Sequence, residues 1–150
     1  MKRKVNLLIS ECLCGVPCRY DGKDNALPCL KKLEASFNLI PVCPEVLGGL
    51  DTPRQPAERC GSNICTCDGT DVTDAFLNGA QLVLDMALQN SCKVALMKAK
   101  SPSCGYKRIY DGTFTRTLTN GHGVTVERLL HHDIEIYTED DILDLLEKYK

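Results

Sequence analysis

The chain has 150 residues, a length at which one domain buries most of its own core, so we expect a single domain over residues 1–150. Its net charge of -2 at pH 7, with Lys and Arg scattered along the chain, argues against nucleic acid as a partner. The apolar run from Val5 to Ile9 is too short for a signal peptide, and no run approaches the roughly 20 apolar residues of a membrane span. We therefore expect a cytoplasmic protein with no membrane partner.

The first part of the chain is predicted to form a strand, a helix, a second strand and a long helix. A strand over Val5–Ser10 is followed by a loop over Glu11–Lys23 that is rich in Gly, Pro and Cys. A helix is predicted from Ala26 to Ser36, where leucines recur at intervals of three, and a second apolar strand ends at Val42. Thr73 is the predicted N-cap of the longest helix, Asp74–Asn90, whose predicted apolar face is Ala75, Phe76, Ala80, Val83, Leu84, Ala87 and Leu88.

The second half continues the alternation. Lys93–Lys98 is the third predicted strand, and Ile109–Phe114 is predicted as a small hairpin with Asp111-Gly112 as its turn. A helix beginning near Thr125, a strand over Ile134–Tyr137 and a helix over Asp140–Tyr149 complete the chain. Strands that alternate with helices predict a three-layer α/β/α fold with a mostly parallel sheet.

Ten cysteines are many for a chain expected in a reducing compartment, where they indicate metal binding or thiol chemistry rather than a disulfide framework. Cys12, Cys43 and Cys104 each follow an apolar run that is predicted to be a buried strand. Because ligands of open α/β sheets bind beyond the carboxyl ends of the strands, these three thiols are expected to form one site. Three soft thiolates suit an iron–sulfur cluster or zinc with one coordination position left open.

Other cysteines compete with this assignment or stand apart from it. Cys14 and Cys18 share the first loop with Cys12, which is preferred because it lies nearest the strand end. Cys29 and Cys92 fall in helical patterns and are interpreted as ordinary core or surface residues. The remaining group, Cys60, Cys65 and Cys67, is expected to lie in a short loop. Its spacing is not that of a doubled Cys-x-x-Cys zinc site, and incidental thiols are the simpler interpretation.

Polar side chains accompany the predicted thiol site. Glu45 follows Cys43 by two residues, and a carboxyl group held partly out of water could move protons. An equally good interpretation is that Glu45 braces its own loop through the amides around Gly48 and Gly49. Ser101 and Ser103 stand beside Cys104, where serines usually form local turn bonds. A serine-hydrolase triad is poorly supported, because surface roles are expected for His122, His131 and His132.

Several long ordered strings carry a family resemblance. They are Ile9-Ser10-Glu11-Cys12-Leu13, Gly15-Val16-Pro17-Cys18-Arg19-Tyr20-Asp21-Gly22, Pro41-Val42-Cys43-Pro44-Glu45-Val46-Leu47-Gly48-Gly49-Leu50, Thr52-Pro53-Arg54, Pro56-Ala57-Glu58, Ser101-Pro102-Ser103-Cys104-Gly105 and Asp111-Gly112-Thr113-Phe114. Over nearly the whole chain the sequence resembles the YbbK-type domain, whose family includes the thiouracil desulfurases, or desulfidases. Cys14 and the group Cys60, Cys65 and Cys67 depart from the family pattern.

The resemblance implies a 4Fe-4S cluster held by only three cysteines, whose fourth iron takes the sulfur of a small thiolated substrate without net redox change. Carried onto this sequence, it implies Cys12, Cys43 and Cys104 as ligands and Glu45 and Ser101 as the catalytic pair. Ser103 is predicted to contact the substrate. Because an exposed iron is oxygen-sensitive, protein prepared in air is expected to carry zinc, a damaged cluster or no metal.

Two other classes of function fit the same cysteines. A zinc-binding or redox-sensing regulatory protein would use them for structure or switching. A small-molecule-binding domain would merely bury them and would keep its ligand after their replacement.

Overall fold

The computed structural model describes residues 3–150, and within this part of the chain it contains eight strands and five α-helices. The strands are β1 (Val5–Ser10), β2 (Phe37–Val42), β3 (Ala57–Cys60), β4 (Asn63–Thr66), β5 (Val94–Met97), β6 (Arg108–Tyr110), β7 (Leu118–Asn120) and β8 (Glu135–Thr138). The helices are α1 (Leu30–Ser36), α2 (Pro44–Leu47), α3 (Thr73–Gln89), α4 (Val124–Leu130) and α5 (Ile142–Lys148).

A four-stranded parallel sheet in the order β2-β1-β5-β8 forms the centre of the fold. Successive side chains of a strand point to opposite faces, and β1 shows this directly. Leu7 packs in one cluster with Leu33 of α1 and Leu145 of α5. Leu8 packs in the other cluster, with Val83 of α3 and with side chains of α4. Helices cover both faces, which confirms the predicted three-layer α/β fold with a mostly parallel sheet.

Several predicted boundaries move by a few residues. The first helix begins at Leu30 rather than Ala26, because Pro28 disfavours helical backbone at Leu27, whose amide donates to the carbonyl of Leu13 at 3.0 Å instead. The predicted N-cap at Thr73 is wrong. Thr73 is the first residue of α3, and its hydroxyl accepts from the amide of Ile64 at 2.9 Å.

The ends of the other helices also differ. Leu88 lies near the C-terminal end of α3 with 54% of its surface exposed, so it is not part of the buried face. The last predicted helix is divided in two, a 3₁₀ turn over Glu139–Asp141 and then α5, with Thr138 and Asp141 forming a capping box.

Helix α2 has no counterpart among the predicted elements, and it positions the segment after β2, which carries Cys43 and Glu45. Pro44 occupies its first turn, where a missing amide is tolerated. Gly48 and Gly79 allow it to lie directly on α3, since a Cβ at Gly79 would stand 1.9 Å from the carbonyl oxygen of Pro44. This backbone contact fixes the direction in which Cys43 and Glu45 leave the sheet.

Two short hairpins lie outside the main sheet. Strands β3 and β4 pair antiparallel, so Cys60 and Cys65 stand on strands rather than in the predicted loop. Strands β6 and β7 pair across residues 111–117, so the predicted turn at Asp111-Gly112 is wrong. The backbone amides of Gly112 and Phe114 instead donate to the Glu58 carboxylate of β3, which stabilises a wider loop.

Among residues 3–150, no helix has both the length and the apolar character needed to cross a membrane.

Candidate functional site

A cavity of about 500 Å³ lies at the carboxyl edge of the parallel sheet. The strand order reverses between β1 and β5, and in open α/β sheets this switch point is where ligands bind. The loops after β1, β2 and β5 contribute to its lining. It includes all six predicted site residues, Cys12, Cys43, Glu45, Ser101, Ser103 and Cys104, and also Cys18, the alternative to Cys12.

Three different local structures present the predicted ligand thiols. Cys12 lies in the 3₁₀ turn that follows β1, Cys43 immediately precedes α2, and Cys104 lies in the loop after β5. Their exposed fractions are only 8%, 9% and 5%. Residues far apart along the chain thus meet at one buried surface, because the carboxyl ends of parallel strands lie at the same edge of a sheet.

Cys18 lies between two of these thiols. Its side chain approaches those of Cys12 and Cys43, and its backbone carbonyl accepts from the Cys43 thiol at 3.9 Å and from Nη2 of Arg54 at 2.9 Å. Cys14 is absent from the cavity lining and packs, half-buried, against the core beneath α1 and α5. The structure therefore leaves Cys18, but not Cys14, beside the predicted ligands.

The surroundings shift the thiol pKa values in different directions. The neighbouring Cys18 thiol and a hydrogen bond from the Asn25 amide lower the pKa of Cys12 to about 7, although burial acts in the opposite direction. The same neighbour lowers the pKa of Cys43. Burial raises the pKa of Cys104 to about 12. The thiolate is the form that binds metal, and a bound cation would stabilise it at all three positions.

A chain of polar groups connects the second and third site loops. Oε2 of Glu45 accepts from the Ser103 hydroxyl at 3.0 Å, and Oγ of Ser103 lies 2.9 Å from Oγ of Ser101. Oγ of Ser101 also accepts from the backbone amides of Ser103 and Cys104, at 3.0 Å each. The two serines therefore form the local turn bonds expected of such a loop and also reach the predicted catalytic carboxylate.

Arg54 is a site residue that the sequence reasoning missed. Its Nε lies 3.2 Å from Oε1 of Glu45, and its side chain is only 10% exposed. Together with its bond to the Cys18 carbonyl, this contact joins two site loops. The Glu45 carboxylate thus bonds Arg54 and Ser103 rather than the amides around Gly48 and Gly49. The string Thr52-Pro53-Arg54 was a signal that could have identified this residue.

The rim of the cavity carries aromatic side chains that were also not predicted, namely Tyr20, Tyr110 and Phe114. The histidines lie elsewhere. His122 stacks on Tyr106 with ring centroids 5.3 Å apart, outside the lining, and His131 and His132 follow α4. No histidine is therefore placed to act as a base for the serines of the cavity.

The donor set can be tested against the two kinds of metal centre that the sequence suggests. Two thiolates on one zinc ion lie roughly 4 Å apart, because each Zn–S bond is about 2.3 Å. Within residues 3–150, no three Cys, His, Asp or Glu side chains are grouped closely enough to share one ion. The thiols of Cys12, Cys43 and Cys104 instead line a cavity with room for a group of several atoms. Soft thiolates that line a space of this size fit an iron–sulfur cluster.

Comparisons with known proteins agree with this geometry. The model of the 2-thiouracil desulfurase family matches residues 7–141. The uncharacterized protein YbbK of Bacillus subtilis (strain 168) is 36% identical over 150 residues, covering 93% of this chain and 99% of that protein. A solved structure of the 4Fe-4S-dependent thiouracil desulfidase TudS is 42% identical with a TM-score of 0.90, covering 98% of this chain and 97% of that chain. This chain therefore belongs to the 2-thiouracil desulfurase family.

Proposed function

We propose that this protein is an iron–sulfur-dependent desulfurase that exchanges the sulfur of a small thiolated compound, of the 2-thiouracil type, for the oxygen of water. The observation that carries the proposal is the meeting of three buried thiols, from three strand-end loops, in one cavity that also holds Glu45. The family match and the 42% identity to a thiouracil desulfidase over nearly the whole chain support it.

The proposed ligands of a 4Fe-4S cluster are Cys12, Cys43 and Cys104. Cys18 is the alternative to Cys12, since its thiol lies at the same wall of the cavity. When bound, a cluster with one iron that lacks a protein ligand would supply a Lewis acid that draws the thiocarbonyl sulfur and polarises its carbon. The remaining chemistry belongs to the side chains around it.

The reaction is a hydrolysis. A C–O bond forms to water, the C–S bond breaks, and sulfur leaves as sulfide with the electron pair of that bond, so no external oxidant or reductant is needed. We assign Glu45 as the base that takes a proton from the attacking water. The hydroxyls of Ser103 and Ser101 extend from its Oε2 and provide a path by which that proton reaches the substrate ring or the leaving sulfur.

The cavity also suits the size of the substrate. Small-molecule sites typically occupy about 300–1,000 Å³ and combine apolar walls with a few placed polar groups. A cavity of about 500 Å³ therefore accommodates a single heterocyclic ring beside a cluster. Ser103 lines this space, and we propose that it contacts the substrate as well as linking Ser101 to Glu45.

The proposal is tested on protein purified without oxygen and reconstituted with iron and sulfide. We expect about four irons and four sulfides per chain. Incubation with 2-thiouracil is expected to release uracil and sulfide in equal amounts. Protein that binds the cluster but releases no sulfide from any thiolated uracil or nucleoside would refute the proposal. A colourless zinc protein without turnover would instead favour a regulatory role.

A further inference from the structure

The loop over residues 111–117, which joins β6 to β7, is here called the rim loop. Two of its side chains, Phe114 and Arg116, line the cavity beside Tyr110 of β6. Phe114 keeps 36% of its surface exposed, so its ring lies at the mouth of the cavity rather than within the core. The rim loop is therefore the part of the fold that presents a flat apolar ring to an incoming ligand.

The rim loop is anchored by one carboxylate of the β3–β4 hairpin. Oε1 of Glu58 accepts from the backbone amides of Gly112 and Phe114, at 3.0 and 3.1 Å. The loop also packs closely on the same strand, because a Cβ at Gly112 would lie 2.9 Å from Cβ of Cys60. Glu58 thus joins two sequence strings, Pro56-Ala57-Glu58 and Asp111-Gly112-Thr113-Phe114, to which the proposed chemistry assigns no role.

The backbone of the rim loop shows that its conformation is imposed. Phe114 and Arg116 have φ values of +58° and +60°, in the left-handed region that bulky side chains rarely adopt. Such conformations persist only where the surroundings hold them, and they concentrate at ligand clamps. The hydrogen bond from the Phe114 amide to Glu58 acts at the strained residue itself.

We propose that the ring of Phe114 is a stacking surface for the thiolated heterocycle and that Glu58 is the positioning residue that holds it at the mouth of the cavity. This inference rests on the proposed function, since the planar ring is that of its substrate. Aromatic rings bind other flat rings by offset stacking, which orients them as well as removing apolar surface from water.

The test compares the iron-loaded variants F114L, E58A and E58Q with wild type. F114L keeps apolar bulk but loses the flat ring, and E58A removes the one oxygen that accepts from both backbone amides. We expect F114L and E58A to raise KM for 2-thiouracil and Kd for uracil roughly threefold to tenfold, with kcat and iron content unchanged. In E58Q the amide oxygen still accepts both bonds, so its KM should return close to the wild-type value.

A matched control is E127Q. Glu127 pairs with Arg59, the neighbour of Glu58 on β3, at 2.9 Å, but it lies outside the cavity lining. Its KM should not change. Hydrogen exchange provides a reading that is independent of activity, because the amides of Gly112 and Phe114 should exchange faster in E58A than in E58Q.

The outcomes separate this inference from the proposed function. If wild type desulfurates 2-thiouracil and F114L has the same KM and uracil affinity, the inference is overturned while the function stands. If wild type binds uracil without turnover and F114L weakens that binding, the function fails and the stacking surface stands. If wild type neither binds uracil nor turns over 2-thiouracil, both fail. Should E58A not fold, F114L still decides the stacking surface, and E58D tests the anchor by the same KM and exchange measurements, because its shorter side chain cannot reach both amides.

Discussion

Two groups of cysteines in this protein differ in an instructive way. The cavity cysteines, Cys12, Cys43 and Cys104, lie far apart in sequence, yet all three are buried along one cavity. The hairpin cysteines, Cys60, Cys65 and Cys67, are close together in sequence. Cys60 and Cys67 are nevertheless exposed, and none of the three lines the cavity. Proximity along the chain is therefore a poor guide to a thiol site here, whereas position at the end of a parallel strand is a good one.

The hairpin explains the difference physically. On paired antiparallel strands each side chain has a fixed face and neighbour. Cys60 on β3 lies against Gly112 of the rim loop. Cys67 follows the end of β4, and its thiol donates to Oε1 of Gln55 at 2.9 Å. Within residues 3–150, neither these thiols nor any other group of three Cys, His, Asp or Glu side chains is placed to share one metal ion. The hairpin cysteines thus have ordinary local contacts.

Replacing a cavity cysteine should have the largest effect. Cys104→Ala is expected to abolish both the visible absorption of the reconstituted protein and its turnover, because it removes one of three proposed ligands. Iron content, colour and sulfide release are measured together. The control is Cys92→Ala, which changes a buried cysteine outside the cavity and should keep its iron at a cost of about 1 kcal/mol in unfolding free energy. A brown, active Cys104→Ala protein would remove Cys104 from the site.

The next largest effect is expected at Glu45. Glu45→Gln should lower kcat roughly a hundredfold with unchanged iron content, because an amide cannot take the proton that we assign to this carboxylate. Glu11→Gln changes another carboxylate of the cavity lining and should have little effect on kcat. Equal turnover by Glu45→Gln and wild type would leave Glu45 with only a bracing role.

Arg54 should show an intermediate effect. Its guanidinium bonds the Glu45 carboxylate and the Cys18 carbonyl at once, which a lysine ammonium on a flexible stem reproduces poorly. We expect Arg54→Lys to lower kcat/KM roughly tenfold, as measured by steady-state kinetics with 2-thiouracil. Arg19→Lys is the matched control, since Arg19 also lines the cavity but pairs with Asp21 and Asn25 rather than with Glu45. An equal loss in both variants would mean that the cavity needs only positive charge.

The smallest effect is expected for the hairpin cysteines. Replacing Cys60, Cys65 and Cys67 together by serine should leave iron content and turnover unchanged, and should lower the unfolding free energy by about 1 kcal/mol or less. The measurement is iron and sulfide counting with a urea unfolding curve. Loss of the cluster in this triple variant would erase the distinction between the two groups.

Much of the fold could be predicted from the sequence because its signals are local. The first strand, Val5–Ser10, is confirmed residue for residue, and the remaining strands of the sheet lie where apolar runs indicated them. The errors fall where tertiary contacts override a local signal. Thr73 bonds Ile64 instead of capping α3, and the amides near Asp111-Gly112 are drawn to Glu58 instead of closing a tight turn.

By itself, the sequence determined a mostly parallel sheet whose four strands alternate with helices, and the placing of three cysteines at strand ends, because hydrophobic periodicity and loop position can be recognised along the chain. Only the tertiary structure decided that Arg54 and Ser103 hold Glu45, that Cys18 lies between Cys12 and Cys43, and that Glu58 anchors the rim loop. These contacts join irregular loops that are distant in sequence, and irregular loops have no periodicity from which their partners could be read.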